Sequence, residues 1–379
     1  MDSIKICLAG DFCVRELNNL HFGESLKKLL ANSDINVINM EGPVLCEGTR
    51  PISKSGPHLF QDSNVPTFLE ENGFNAIAMA NNHIMDYGEE SLLKSKKSFT
   101  KAKTFGVGTF TEAYKIESFR VRNKTIGFLS LTQYEFGVLG YCQMSQDEVG
   151  SAWLCHPIVD ELIINAKKKC DYLIVLPHAG LEYFEYPLPE LRMLYRHFVN
   201  LGADAIVGGH PHISQCWESY NEKPIVYSLG NFCFDSISNR NKAWYTGLMV
   251  RLIIESDQIH IDVNHVFYDS LNRCVDISND KNLSEQTQRT NEFFKDEQRY
   301  INAVNTKCLS LKGHYIDLFE LSGIIRPTLK KLPRITLNTI KKAWCRDKRY
   351  DNSHLINNIR CETHRWIISR IYELSNRYS

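Results

Sequence analysis

No stretch of this 379-residue chain reaches the roughly 18 uninterrupted apolar residues that would suggest a membrane span. Nor does Met1-Asp2-Ser3 carry the basic n-region or apolar h-region of a secretory leader, since it runs straight into an apolar strand. The 12 cysteines include no Cys-x-x-Cys pair, and Cys7, Cys170, Cys216 and Cys233 lie in or beside apolar segments. Buried reduced thiols explain that distribution better than a disulfide framework or a zinc knuckle. The expected location is the cytoplasm, with a peripheral association with a membrane left open.

Net charge is also missing, at 44 basic against 44 acidic residues. The balance hides an asymmetry. Residues 269–379 carry 20 Lys and Arg against 13 Asp and Glu, whereas residues 1–268 carry 24 against 31. An acidic body with no stacking motif and no recognition helix argues against nucleic acid as a partner. Hydrophobic residues make up 43% and charged residues 23%, an ordinary globular composition. The length exceeds a single typical core. We therefore expect one large domain over residues 1–268 and a basic, mostly helical region over 269–379.

Five short runs rich in branched apolar residues read as buried strands: Ile4 to Ala9, Ile35 to Ile38, Ala76 to Ala80, Tyr172 to Leu176 and Ala203 to Val207. Helical patterns fall between them. Asn64 and Pro66 open one that stops at Gly73, a second covers Gly88 to Lys103, and others cover Pro157 to Ala166 and Pro189 to Asn200. Ile225 to Tyr227, Leu248 to Ile254 and Ile259 to Val263 are strand-like and suggest a second sheet packed on the first. Alternating strands and helices indicate a layered α/β fold, in which loops at the carboxyl ends of strands meet in one crevice.

Each of the five runs is followed by a polar cluster: Gly10-Asp11, Asn39-Met40-Glu41, Asn81-Asn82-His83 with Asp86, His178, and His210-Pro211-His212. Together they offer the carboxylates, amide oxygens and imidazoles that a two-metal hydrolytic centre uses. Glycine at position 10 would let the backbone turn and present Asp11, although Gly-Asp is also an ordinary turn dipeptide. Glu41 either bridges two cations or is a surface loop acid before Pro43. Asn82 can offer an amide oxygen to a metal while Asp86 fixes the tautomer of His83; the competing account is a turn that caps the helix from Gly88. His210 and His212, at i and i+2 in an extended loop, can address different metals.

Gly10-Asp11 with Arg15, Asn39 to Pro43, Ala80 to Gly88, His178 to Tyr183, Gly209 to His212 and Tyr227 to Phe232 form six ordered segments. Together they resemble the CapA family, which is associated with poly-gamma-glutamate capsule synthesis. The resemblance covers roughly residues 4–268. It implies a branch of the calcineurin-like metallophosphoesterases, with a four-layer αββα sandwich carrying a dinuclear site at its edge and a mostly helical C-terminal extension. Carried over by position, Asp11, Glu41 and His212 would hold one metal and Glu41, Asn82, His178 and His210 the other. The metals would be Mn, Fe or Zn. His83 would be the acid or transition-state stabiliser, supported by Asp86. The wider superfamily has His two residues after the first Asp, where this chain has Cys13; the CapA branch lacks that His and carries Arg at the place of Arg15. The first metal is thereby left one ligand short.

Arg15 is read either as a forked ligand for a substrate phosphate or carboxylate or as a surface salt bridge. Glu182 and Tyr183 are expected to line the substrate groove, whereas Glu218 and Tyr220 are expected to be structural. Asn231 is expected to touch substrate or to orient a histidine. The expected activity is metal-dependent hydrolysis in capsule or surface-polymer synthesis, on poly-gamma-glutamate or a polysaccharide. The alternative is a non-catalytic assembly factor docked on a membrane-bound capsule synthase. Pro327 and Pro333 punctuate a basic stretch through Lys330-Lys331, Lys341-Lys342 and Arg346 to Arg349. Beyond it, Leu355, Ile359, Trp366, Ile367, Ile371 and Leu374 fall on one helical face that either packs on the body or docks on an anionic membrane or partner.

Overall fold

The computed structural model describes residues 3–140, 147–235, 242–321 and 353–376. Among these residues the larger sheet runs in the order β2 (His21–Phe22), β18 (Cys274–Ser278), β17 (Gln258–Asp269), β16 (Thr246–Glu255), β1 (Ile4–Cys13), β3 (Ile35–Met40), β4 (Ala76–Ala78) and β5 (Lys103–Phe105), with β15 (Asn231–Phe234) also paired to β1. The second sheet runs β13 (Trp217–Tyr220), β14 (Lys223–Val226), β12 (Ala205–Val207), β11 (Tyr172–His178), β8 (Lys124–Thr132) and β7 (Glu117–Val121). A small third sheet holds β6 (Val107–Thr109), β10 (Val149–Ala152) and β9 (Val138–Leu139).

Side-chain alternation along the strands decides the layering. On β1, Ile4, Ile6 and Leu8 join Val37, Ala76 and Ala78 to face Phe128, Ile174, Leu176 and Val207 of the second sheet in one core. Cys7 and Ala9 point the other way, into a core with Leu26, Leu30, Val65, Leu69 and Leu92. These come from helices α1 (Glu24–Ala31), α2 (Val65–Glu71) and α3 (Gly88–Ser98). Beyond the short α4 (Phe110–Ala113), α5 (Ile158–Ala166) packs on α6 (Pro189–Leu201), and α6 packs on β12 and β14. The result is a four-layer αββα sandwich.

Three expectations are corrected. The strand-like segments after residue 224 do not form a sheet of their own. β16 extends the first sheet antiparallel to β1 and β17 follows antiparallel to β16, whereas β14 joins β12 in the second. The helix from Gly88 ends at Ser98 rather than Lys103, because Phe99 turns extended at ψ 128° and Glu70 Oε1 takes the amides of Thr100, Lys101 and Ala102. The first compact unit also runs past residue 268, through Tyr300. Cys274–Ser278 pairs antiparallel with β17, and α7 (Lys281–Lys295) seats Asn291 Oδ1 on the amide of Trp217 at 2.9 Å.

A second unit comprises Ser53–Gly56 and Ile301–Ser379. After α8 (Glu297–Ser310), its helices α9 (Lys312–Leu321), α10 (Ser353–Arg360) and α11 (Glu362–Asn376) pack on one another. The single apolar face expected from Leu355 to Leu374 is broken at Cys361: Ile367 and Ile371 are fully buried, whereas Ile359 is 52% exposed. Pro327, Pro333 and the basic stretch from Lys330 to Arg349 lie outside the described residues. Among the described residues, no helix is long and apolar enough to cross a membrane, and the cysteines are free thiols.

Candidate metal centre

The five polar clusters come from both sheets and meet at one edge of the sandwich. Asp11 sits within β1 rather than at its tip, and the expected turn at Gly10 is not what glycine provides. There β15 runs so close that a Cβ on Gly10 would stand 1.9 Å from the Gly230 carbonyl oxygen, to which the Asp11 amide donates at 3.0 Å. Glu41 lies in the loop after β3 and is fully buried, so it is no surface acid. Gln61 fixes this corner by donating to the carbonyls of Phe12 and Glu41, both at 2.8 Å.

Asn82 and His83 follow β4. Asn81 does not cap α3, since its amide nitrogen reaches the Met40 carbonyl at 2.9 Å and its oxygen accepts from the His83 amide at 3.2 Å. It therefore pins one loop to the other. His178 closes β11, and a backbone bridge to Gly209 aligns it with the loop after β12. In that loop His210 (φ 95°) and His212 (φ 59°) both adopt left-handed backbone, a strain that a packed surrounding must sustain. Gly209 lies between the groups themselves: a Cβ there would come 2.9 Å from Asp11 Oδ1.

Ligand atoms of Asp11, Glu41 and His178 all lie within 4.8 Å of one another. His178 Nε2 is 3.1 Å from Asn82 Oδ1, 3.3 Å from His210 Nδ1 and 3.9 Å from Glu41 Oε1. His212 Nε2 is 3.8 Å from Glu41 Oε1. Its Nδ1 lies 3.0 Å from Asn231 Oδ1 and 3.8 Å from Asp11 Oδ2. His83 Nε2 stands 3.9 Å from Glu41 Oε1, while Nδ1 is held by Asp86 Oδ2 at 2.7 Å. Three imidazoles thus ring one carboxylate oxygen beyond hydrogen-bond reach. Two ligand atoms each ~2.1 Å from a shared cation stand roughly 3–4 Å apart, so these separations and the N/O donor set fit divalent cations.

The electrostatics agree with that fit. Burial pushes the Asp11 carboxyl up to about 7 despite hydrogen bonds from Asn39 and the His210 amide. Burial, then the neighbouring His210, His212 and His83, holds His178 well below the usual imidazole value. Burial lowers His210 to about 4, although Glu135 and Glu182 push it back up. Buried neutral imidazoles are the form that binds metal, and a cation would stabilise the ionised carboxylates that burial disfavours.

Of the expected substrate residues, Arg15 donates to the His58 carbonyl at 2.9 Å and lies 4.8 Å from the Phe60 ring centroid. Its guanidinium is engaged by the 58–60 segment rather than by a surface salt bridge. Asn231 accepts from His212 and donates to the Trp244 carbonyl at 3.0 Å, which gives it the histidine-orienting alternative. Glu182 is half-buried beside His210. Cys13 packs with Leu59, Phe234 and Trp244. Glu218 is structural, clasped by Arg192, Arg196 and Tyr227.

Sequence reasoning missed Asn39 and Gln133 as working side chains. Asn39 Nδ2 lies 2.7 Å from Asp11 Oδ1 and 3.2 Å from His178 Nδ1. Gln133 Nε2 reaches Glu135 at 2.7 Å and His210 Nε2 at 3.0 Å, and its oxygen accepts from the Gly180 amide. The available signal for Gln133 was its place directly after the apolar run Ile126 to Thr132, the same position relative to a strand as the other site residues.

A family profile described as "Bacterial capsule synthesis protein PGA_cap" matches residues 18–236, which include every residue of the centre except Asp11. The chain is 33% identical over 223 residues to "Capsule biosynthesis protein CapA" of Bacillus anthracis, covering 56% of this chain and 53% of that protein. It is 33% identical over 208 residues to "PGA biosynthesis protein CapA" of Bacillus subtilis (strain 168), covering 54% of each. The chain therefore spans about half the length of the curated relatives it matches. Among solved structures it is similar to a putative 5'-nucleotidase from Staphylococcus aureus, with a TM-score of 0.46 and 14% identity over 77% of this chain and 59% of that one. With more than half of its residues matched by the profile, the chain belongs to the bacterial capsule synthesis PGA_cap family.

Proposed function

We propose that this protein is a metal-dependent hydrolase of the phosphoesterase type that acts in capsule or surface-polymer synthesis. The observation that carries the reading is the convergence of Asp11, Glu41 and His178 within 4.8 Å, with Asn82, His210 and His212 beside them. Asp11, Glu41 and His212 would hold one cation and Glu41, Asn82, His178 and His210 a second, of Mn, Fe or Zn. Such cations supply Lewis-acid polarisation of a phosphoryl oxygen and an acidified water. The chain's own residues supply the rest. Asp86 accepts from His83 Nδ1 and turns Nε2 toward Glu41, where it can hand a proton to a leaving oxygen. Asn231 keeps the His212 ring in the tautomer that leaves Nε2 for a cation.

The capsule role is supported by the family and by the two CapA relatives. The excess of Lys and Arg over residues 269–379 supports a second reading, an assembly factor docked on a membrane-bound capsule synthase. Elemental analysis of the purified protein and of His210→Ala, followed by hydrolysis of bis-p-nitrophenyl phosphate with Mn, separates the readings. Bound metal lost in the variant, with turnover, is the expected result. Absence of metal after incubation with Mn, together with normal polymer production by His83→Ala in cells, would favour the assembly factor.

A further inference from the structure

Among the described residues, Tyr183 is an exposed aromatic side chain close to the centre. It follows His178 by five residues, and the residue is 42% exposed although the nearby His178, His210 and His212 are almost wholly buried. Its backbone is left-handed at φ 57°, and its amide donates to the Pro211 carbonyl at 3.0 Å, between the two loop histidines. A bulky residue held there by the His210-Pro211-His212 loop is placed at a conformational cost. Its ring centroid lies 6.0 Å from that of Trp244 at 29° and 6.1 Å from that of His212 at 31°. These are offset-stacked distances. Trp244 is 2% exposed and donates from its indole nitrogen to the Phe234 carbonyl at 3.3 Å, so the support behind Tyr183 is fixed.

We infer that Tyr183, backed by Trp244, is a ring-stacking subsite beside the metal centre, and that it selects phosphoesters whose alcohol is a hydroxylated ring, as in a sugar phosphate. The inference rests on the proposed hydrolase reading for the word phosphoester; the ring subsite itself rests on the geometry of Tyr183. An aromatic face accepts the apolar face of a pyranose, and a carboxylate alongside accepts hydrogen bonds from its hydroxyls. Glu182, the preceding residue, is half-buried, and Glu135, also half-buried, takes Gln133 Nε2 at 2.7 Å while that same nitrogen stands 3.0 Å from His210 Nε2. That acidic rim disfavours a chain of free carboxylates through like-charge repulsion. Arg15, the basic group nearest in sequence to Asp11, is engaged by the His58 carbonyl and the Phe60 ring. The rim therefore suits a neutral polyhydroxylated ring better than a poly-glutamyl chain.

The test uses the full chain loaded with Zn, which is diamagnetic, with glucose 1-phosphate as the ring-bearing probe, glycerol 1-phosphate as the acyclic one and a γ-linked glutamate oligomer as the polyanion. In saturation-transfer NMR the wild type should saturate the glucose ring protons. That transfer should vanish in Tyr183→Ala and persist in Tyr183→Phe. The ratio of kcat/KM for the glucose over the glycerol ester should fall about tenfold in Tyr183→Ala, mainly through KM. No transfer to the ring in the wild type, transfer that survives Tyr183→Ala, or tighter binding of the glutamate oligomer would each overturn the inference. If neither ester turns over, the hydrolase reading fails, while the NMR transfer still decides the ring subsite.

Discussion

His212 Nδ1 stands 3.0 Å from Asn231 Oδ1, and the same imidazole turns Nε2 to within 3.8 Å of Glu41 Oε1. Because a neutral imidazole has one donor and one acceptor nitrogen, the amide oxygen selects the tautomer with the proton on Nδ1. Asn231 in turn is fixed by the Trp244 carbonyl and by the pairing of β15 with β1 at Asp11.

Removing that support should weaken the first cation site without removing a ligand. Asn231→Ala is expected to lower Mn affinity about 10- to 100-fold, the usual cost of losing a partner that orients a ligand. It should cost about 1–3 kcal/mol of stability as well, because the Trp244 carbonyl loses its donor in a buried setting. A chelator-competition titration alongside thermal unfolding reads both. Unaltered affinity in a folded variant would remove the orienting role.

The His83–Asp86 pair has a separable role. Asp86 Oδ2 also accepts from the Leu59 amide at 2.7 Å, a bond that an asparagine oxygen can keep. Asp86→Asn should therefore fold and retain metal, while turnover of an activated phosphodiester falls roughly 10²- to 10⁴-fold, the range ascribed to a positioned proton donor. Metal loss in this variant would instead assign the pair to holding the centre together.

Metal uptake should depend on pH with a defined sign. Asp11, raised to about 7 by burial, keeps its proton in the metal-free fold until near neutrality. Its contribution to metal-free stability is complete below the unfolded value of ~3.9 and is lost as pH rises through about 7. His210, lowered to about 4, contributes in the opposite sense: complete above the unfolded ~6.5 and lost as pH falls toward about 4. A cation needs both groups deprotonated. Below pH ~7 affinity should thus drop about tenfold per unit, with proton release seen by calorimetry in buffers of different ionisation enthalpy. Equal affinity at pH 6 and pH 8 would show that Asp11 carries no proton to displace.

Much of this centre was legible because its ligands follow apolar runs whose strand character is local. Ile35 to Ile38 and Tyr172 to Leu176 announce β3 and β11, and Glu41 and His178 come directly after. What local pattern cannot show is which sheet a strand joins. Leu248 to Ile254 reads the same whether it extends the first sheet or founds a second, and only the antiparallel register with β1 decides. The roles of Asn39 and Gln133 were hidden for a related reason. An amide's partner is set by tertiary approach, as when Gln133 meets His210 77 positions along the chain. Gly10 was misread because a tight turn and a close backbone approach call for the same residue.

That close approach gives the last prediction. A Cβ at position 10 would meet the Gly230 carbonyl oxygen at 1.9 Å and the Leu229 Cβ at 3.2 Å, both on the segment that enters β15. The first of these is backbone, so no side-chain rotation relieves it, and β1 and β15 must part. Parting breaks the Asp11 amide to Gly230 carbonyl bond and shifts the Asp11–Asn231 register that aligns a carboxylate with the support of His212. Gly10→Ala is expected to cost about 1–3 kcal/mol, as other insertions into packed interiors do. It should also lose metal more severely than that stability loss predicts. Thermal unfolding with and without Mn makes the comparison: the stabilisation that Mn confers on the wild type should shrink in the variant, because binding to the native state is what raises its melting temperature. A variant that melts and gains from Mn as the wild type does would mean that β15 can retreat without disturbing Asp11, and the role assigned to Gly10 would be withdrawn.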